Sequence, residues 1–79
     1  MQSQQFTEAA AQAKVGARVR SLIPFSAIPV GTTGKVISAD ELAGGYDVAI
    51  EWDLPKHPYG KPLSDWFTRD EYERFLEEV

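Results

Sequence analysis

The sequence predicts a small, mainly β barrel with a short C-terminal helix, and three features carry that expectation. Residues Tyr46-Asp-Val-Ala-Ile-Glu-Trp-Asp53 alternate apolar and polar side chains, the pattern of a strand with one face in a core and one in water. Two proline-bearing connections, 24–33 and 54–62, separate short apolar runs. Thr68-Arg-Asp-Glu71 is a capping box, and Tyr72, Phe75, Leu76 and Val79 then recur at helical spacing. Four short, strongly bent strands hide their free edges best by closing on one another, which favours a barrel.

Met1 to Gly16 is rich in Gln and Ala. Phe6, Ala9, Ala10 and Ala13 fall on one face of a short helix, which Ser3 could cap and Gly16 could end. So short a helix is marginal alone. Residues 1–14 therefore read as an N-terminal extension, docked as a helix or disordered, ahead of a barrel domain over 15–79.

Val15 to Ile23 reads as the first strand, with Val19 inward and Arg18 and Arg20 outward. Pro24 ends it, having no N–H to donate. Phe25, Ile28 and Val30 give the following connection apolar weight, so it is expected to fold back over the barrel. Gly31 and Gly34 are expected in backbone conformations closed to other residues, at a turn and a bend.

The hairpin comes next: a strand from about Gly34, a turn around Ala43-Gly44-Gly45, and a strand from Tyr46 to Asp53. A one-residue slip would expose Val48 and Ile50 and bury Asp47 and Glu51, so register is well specified. Leu63 to Phe67 reads as the last strand. The closing helix keeps Asp70, Glu73, Arg74 and Glu77 on its wet face.

Composition removes several functions. With no cysteine there is neither a disulfide nor a thiolate metal site, and one histidine rules out a multi-His centre. No apolar run approaches the roughly 18 residues of a membrane span, and nothing reads as a signal peptide. A cytoplasmic protein without a cofactor is expected. The net charge of −4 is unevenly spread. Residues 1–39 hold four basic side chains against one acid, and residues 40–79 hold four against eleven. The simple reading is a solvated surface; the other is head-to-tail contact or a cationic partner.

Val15-Gly-Ala-Arg-Val-Arg20, Gly31-Thr-Thr-Gly-Lys-Val36 and Tyr46-Asp-Val-Ala-Ile-Glu-Trp52 together resemble SH3-like barrels of the KOW and nitrile-hydratase β-subunit kind. The resemblance spans about residues 15–76. It implies a fold more than a function, because one barrel hosts many activities. The nitrile-hydratase likeness implies a scaffolding role, since a partner subunit carries that family's metal and catalytic cysteines. In size and layout the chain is also similar to type II dihydrofolate reductases, tetramers whose Val-Gln-Ile-Tyr-Pro strand lines a pore. The aligned place here reads Leu63-Ser64-Asp65-Trp66-Phe67, without those polar contacts, and an Asp there would repel an anionic folate.

Catalytic chemistry finds little footing. His57 stands between prolines in a polar loop, with Asp53 and Asp65 as the carboxylates that could orient it. Asp53 or Glu51 with Asp65 could pair for acid–base work or a hard cation; salt bridges to Arg18, Lys56 or Lys61 explain them more simply. Gly31-Thr-Thr-Gly34 is too short for a phosphate-binding loop. Arg18, Arg20 and Lys35 could contact phosphates, but an isoelectric point near 4.8 points away from nucleic acid.

The aromatic set points instead to a non-catalytic protein-binding or accessory module, with homo-oligomerisation open. Phe25, Trp52, Tyr59, Trp66 and Phe67 cluster around the two proline-bearing loops. Trp52 and Phe67 are in phase with strand interiors and belong to the core; Phe25, Tyr59 and Trp66 either bind or plug. The expected contact surface is Phe25, Ile28, His57, Tyr59 and Trp66, rimmed by Lys61 and Asp65. A nucleic-acid-binding KOW-like domain and a reductase-like oligomer are the alternatives.

Overall fold

The structure, a computed structural model, describes residues 5–25, 27–42, 45–54 and 63–79. Across them the chain is mainly β: α1 (Glu8–Lys14), β1 (Arg18–Ser21), β2 (Thr33–Leu42), β3 (Gly45–Trp52), β4 (Ser64–Phe67), α2 (Arg69–Phe75) and β5 (Leu76–Glu78). The five strands form one antiparallel sheet in the order β4-β3-β2-β1-β5. Among the described residues no helix is long and apolar enough to cross a membrane.

The β2–β3 hairpin is the axis. Its ladder runs from Gly34↔Trp52 to Leu42↔Gly45, with a bulge between Val36 and Ser38. The expected register holds: Val48 and Ile50 are fully buried, while Asp47 and Glu51 lie on the other face. Gly45 belongs to the strand and not to the turn; Ala43 and Gly44 lie outside the described residues. Ala49 departs from the pattern, being buried although it faces outward. Ser38 and Trp66 stand directly opposite it on the neighbouring strands, and a methyl group is too short to clear them.

Gly34 departs in a different way. It needs no special backbone angle; it needs the absence of a side chain. A Cβ there would come within 2.9 Å of the Glu51 carbonyl, Ile50 Cγ2 and Trp52 Cε3, so β2 and the Trp52 ring meet at this point as no other residue permits. Gly16 and Gly31 do adopt positive φ, 96° and 88°, one closing α1 and the other turning the chain into β2.

β1 is shorter than the sequence suggests. Val19 is buried, and Arg18 and Arg20 face outward. Past it, Phe25 and Ile28 fold inward, but Val30 remains 61% exposed at the turn.

The N-terminal segment packs on the sheet as a helix capped by Thr7, whose Oγ1 accepts the Ala10 N–H at 3.1 Å. Ser3 lies outside the described residues. The buried line is Phe6 and Ala11, not Phe6, Ala9, Ala10 and Ala13; those three alanines are exposed. Phe6 precedes the cap and bridges Tyr46 as extended chain, so a helical phase counted from it does not apply.

The capping box at Thr68 and Glu71 forms. The helix it opens stops at Phe75 and does not run to Val79: Leu76 takes φ −129°, ψ 152°, and β5 pairs with β1. Leu22 N–H donates to the Phe75 carbonyl at 2.7 Å and Val79 N–H to the Arg18 carbonyl at 3.0 Å. Covering the second edge of β1 satisfies backbone groups that one more helical turn would have left bare. Leu76 is buried there, whereas Val79 is exposed.

Two groups of rings frame the core. Phe25 packs against Trp52, Phe67 and Phe75 at centroid distances of 6.0, 5.2 and 6.2 Å. Phe6 meets Tyr72 edge-on at 5.8 Å, on the α1 side.

Candidate functional site

β4 sorts its side chains by alternation. Asp65 and Phe67 lie opposite Ile50 and Val48, on the core side; Ser64 and Trp66 lie opposite Glu51 and Ala49, on the outer side. Phe67 joins the aromatic group, and Trp66 is left 46% exposed. Asp65 Oδ2 accepts the Trp52 indole N–H at 2.9 Å, which lets that ring be buried with its polar end satisfied.

The predicted contact residues are therefore divided. Phe25 and Ile28 go into the core, Asp65 anchors Trp52, and Trp66 alone of these four presents a ring to solvent. His57, Tyr59 and Lys61 lie outside the described residues. The first connection and the start of β4 do run side by side: Ala27, Ile28, Leu63, Ser64 and Asp65 line a cleft of about 100 Å³. That is well below the roughly 300 Å³ at which small-molecule sites begin.

The charged candidates are engaged with one another. The Arg18 guanidinium donates to both carboxylate oxygens of Asp53, which also accepts from Thr33 Oγ1 at 2.7 Å. Arg20 pairs with Glu77 at 2.7 Å. A phosphate at Arg18 or Arg20 would have to displace a carboxylate. Asp53 and Asp65, proposed as a pair, are held by different partners, Arg18 and Trp52.

A second polar group ties α1 to the C-terminus. Glu78 accepts from Lys14 Nζ and from the Tyr72 hydroxyl, both at 2.7 Å, and Lys14 lies 5.2 Å from the Tyr72 ring centre. Lys14 first, then Tyr72, holds the Glu78 carboxyl below its usual range. Arg18, then Thr33, does the same for Asp53.

Both folded pKa values lie below the unfolded ones, which are about 3.9 for Asp and 4.3 for Glu. Each group therefore contributes stability above that range and loses it as pH falls through the folded value. Both pairs are exposed, so each is worth roughly 0.2–1 kcal/mol. The expected result is a melting temperature that drops below about pH 4. An Asp53→Asn/Glu78→Gln variant should melt lower at neutral pH yet show a flatter acid limb; parallel limbs in thermal melts would refute these two assignments.

Two features had no readable signal in the sequence. The Lys14–Glu78 contact joins residues 64 apart. Asp47 faces Asp40 across the hairpin, and burial, then Glu71, raises its pKa. Comparison with protein-family models, curated proteins and solved structures finds no match.

Proposed function

We propose that this chain is a non-catalytic module, SH3-like in architecture, that docks another protein through the outer side of β4. Five short strands in one antiparallel sheet of order β4-β3-β2-β1-β5, with aromatic side chains packed as two groups against it, support an SH3-like sheet that, among the described residues, stays open at β4 and does not close into the expected barrel. The three sequence stretches that resemble SH3-like domains support it further.

The binding reading is carried by Trp66. A chain that buries Trp52 and Phe67 almost completely leaves its other indole half in water, on an edge strand. Exposed Trp is costly to hydrate and is favoured as an interface anchor. Rigid strands also present it at little entropic cost.

Trp66→Ala removes a half-exposed ring that covers Ala49, so stability should fall by about 1–2 kcal/mol, short of the roughly 3–5 kcal/mol of a fully buried Trp and leaving the fold in place. A partner captured by the wild-type chain and then purified should lose about thirtyfold or more in affinity for the variant, as for a hot-spot residue. Equal affinities in a binding titration would remove the site.

A further inference from the structure

We infer that the occupant of this face is an extended segment of a partner protein bearing Lys or Arg, added to the edge of β4 that no described strand covers, with a cationic side chain laid across Trp66. The inference rests on the reading of β4 as the contact strand, and adds the partner's chemistry and binding mode.

The backbone sets the mode. Trp52 N–H donates to the Leu63 carbonyl at 2.9 Å. With Glu51 opposite Ser64 and Ile50 opposite Asp65, the hydrogen-bonded pairs are then 52/63, 50/65 and 48/67. The N–H and C=O groups of Ser64 and Trp66 consequently point away from β3. Among the described residues these groups have no backbone partner, and β4 is first in the sheet order. Such an edge accepts another strand, whose main chain supplies affinity and whose alternate side chains supply specificity.

Charge sets the chemistry. Asp47 and Glu51 flank Ala49 on the outer face of β3, diagonal to Trp66. Asp40 stands opposite Asp47, so two like charges meet where pairing would normally place opposite ones. The ion pairs among the described residues use Asp53, Glu73, Glu77 and Glu78, and none uses Asp40, Asp47 or Glu51. Lys35 faces Glu51 in the ladder without closing to an ion pair.

An added strand would lie about 4.8 Å beyond β4. A Lys or Arg on its outer side could cross the Trp66 ring, where a cation is attracted to the indole face, and reach toward the β3 carboxylates. A second copy of this chain suits the edge poorly: it carries −4 itself, and its Lys14, Arg18, Arg20 and Arg69 are already paired.

The test is a displayed library of random seven-residue peptides, selected on the wild-type domain alone. The recovered peptides should be β-forming, with Lys or Arg at alternate positions. A synthetic version should bind about fivefold more weakly to Asp47→Asn/Glu51→Gln and about thirtyfold more weakly to Trp66→Ala. Ser64→Pro, which removes an edge donor without touching the β3 ladder, should weaken it too. Binding should slow amide exchange at Ser64 and Trp66.

Failure to recover any peptide, recovery without Lys or Arg, or indifference to the two carboxylate replacements overturns the cationic occupant while leaving a role for Trp66 intact. Unchanged exchange at Ser64 and Trp66 overturns strand addition. A concentration-dependent dimer abolished by Trp66→Ala reassigns the edge to a second copy and overturns the inference. A peptide that binds Trp66→Ala as tightly as wild type defeats the underlying reading as well.

Discussion

Ile50→Asp is expected to leave no cooperatively folded protein at neutral pH, and Val48→Asp the same. Both side chains are fully buried, Ile50 between Val36 and the core side of β4 and Val48 opposite Phe67. Removing a buried aliphatic side chain of this size costs about 1–5 kcal/mol in cavity and transfer terms. A carboxylate without a partner adds several kcal/mol more, either as desolvation or as the work of protonating it. Against this stands a total stability of about 4–12 kcal/mol for a chain of this length. Circular dichroism with a thermal melt decides the matter, and a normal cooperative transition in either variant would mean that the hairpin register is wrong.

Trp52→Ala should cost about 3–5 kcal/mol. The ring packs 6.0 Å from Phe25 and 6.1 Å from Phe67, its N–H is taken by Asp65, and Gly34 leaves room for its edge. No neighbour is free to fill the space. Gly34 has no side chain to move, and Phe25 is still held by the Phe67 and Phe75 rings. With a urea slope of roughly 1–1.5 kcal/mol/M for so small a domain, the midpoint should fall by about 2 M or more. A loss under about 1 kcal/mol would show that the aromatic group is not what ties β2, β3 and β4 together.

What the sequence made legible was local. The alternation of Tyr46 to Trp52, the inward phase of Val19 and the capping box at Thr68 each depend on residues within a few positions of one another, and all three appear, with buried Ala49 the one break in the alternation. Phe67 and Trp66 were separable on the same ground, since adjacent strand residues face opposite ways.

The rest depended on distant chain. Leu76 to Glu78 carries a helical stripe, but the free edge of β1 turned it into a strand, pairing Glu77 with Arg20. Phe6 reads as part of a helical face and is a bridge to Tyr46. Phe25 lies in an irregular connection without a period to say which way it points, and only the folded core shows it packed against Trp52, Phe67 and Phe75.

Acrylamide quenching of the two single-indole variants separates the inner ring from the outer one. With Trp52→Phe, the remaining Trp66 should emit at long wavelength and be quenched strongly; with Trp66→Phe, the remaining Trp52 should emit at short wavelength and resist quenching. Equal quenching of the two, or the reverse order, would contradict the placement of Trp66 on the outside of β4, and the proposed contact with a partner would fall with it.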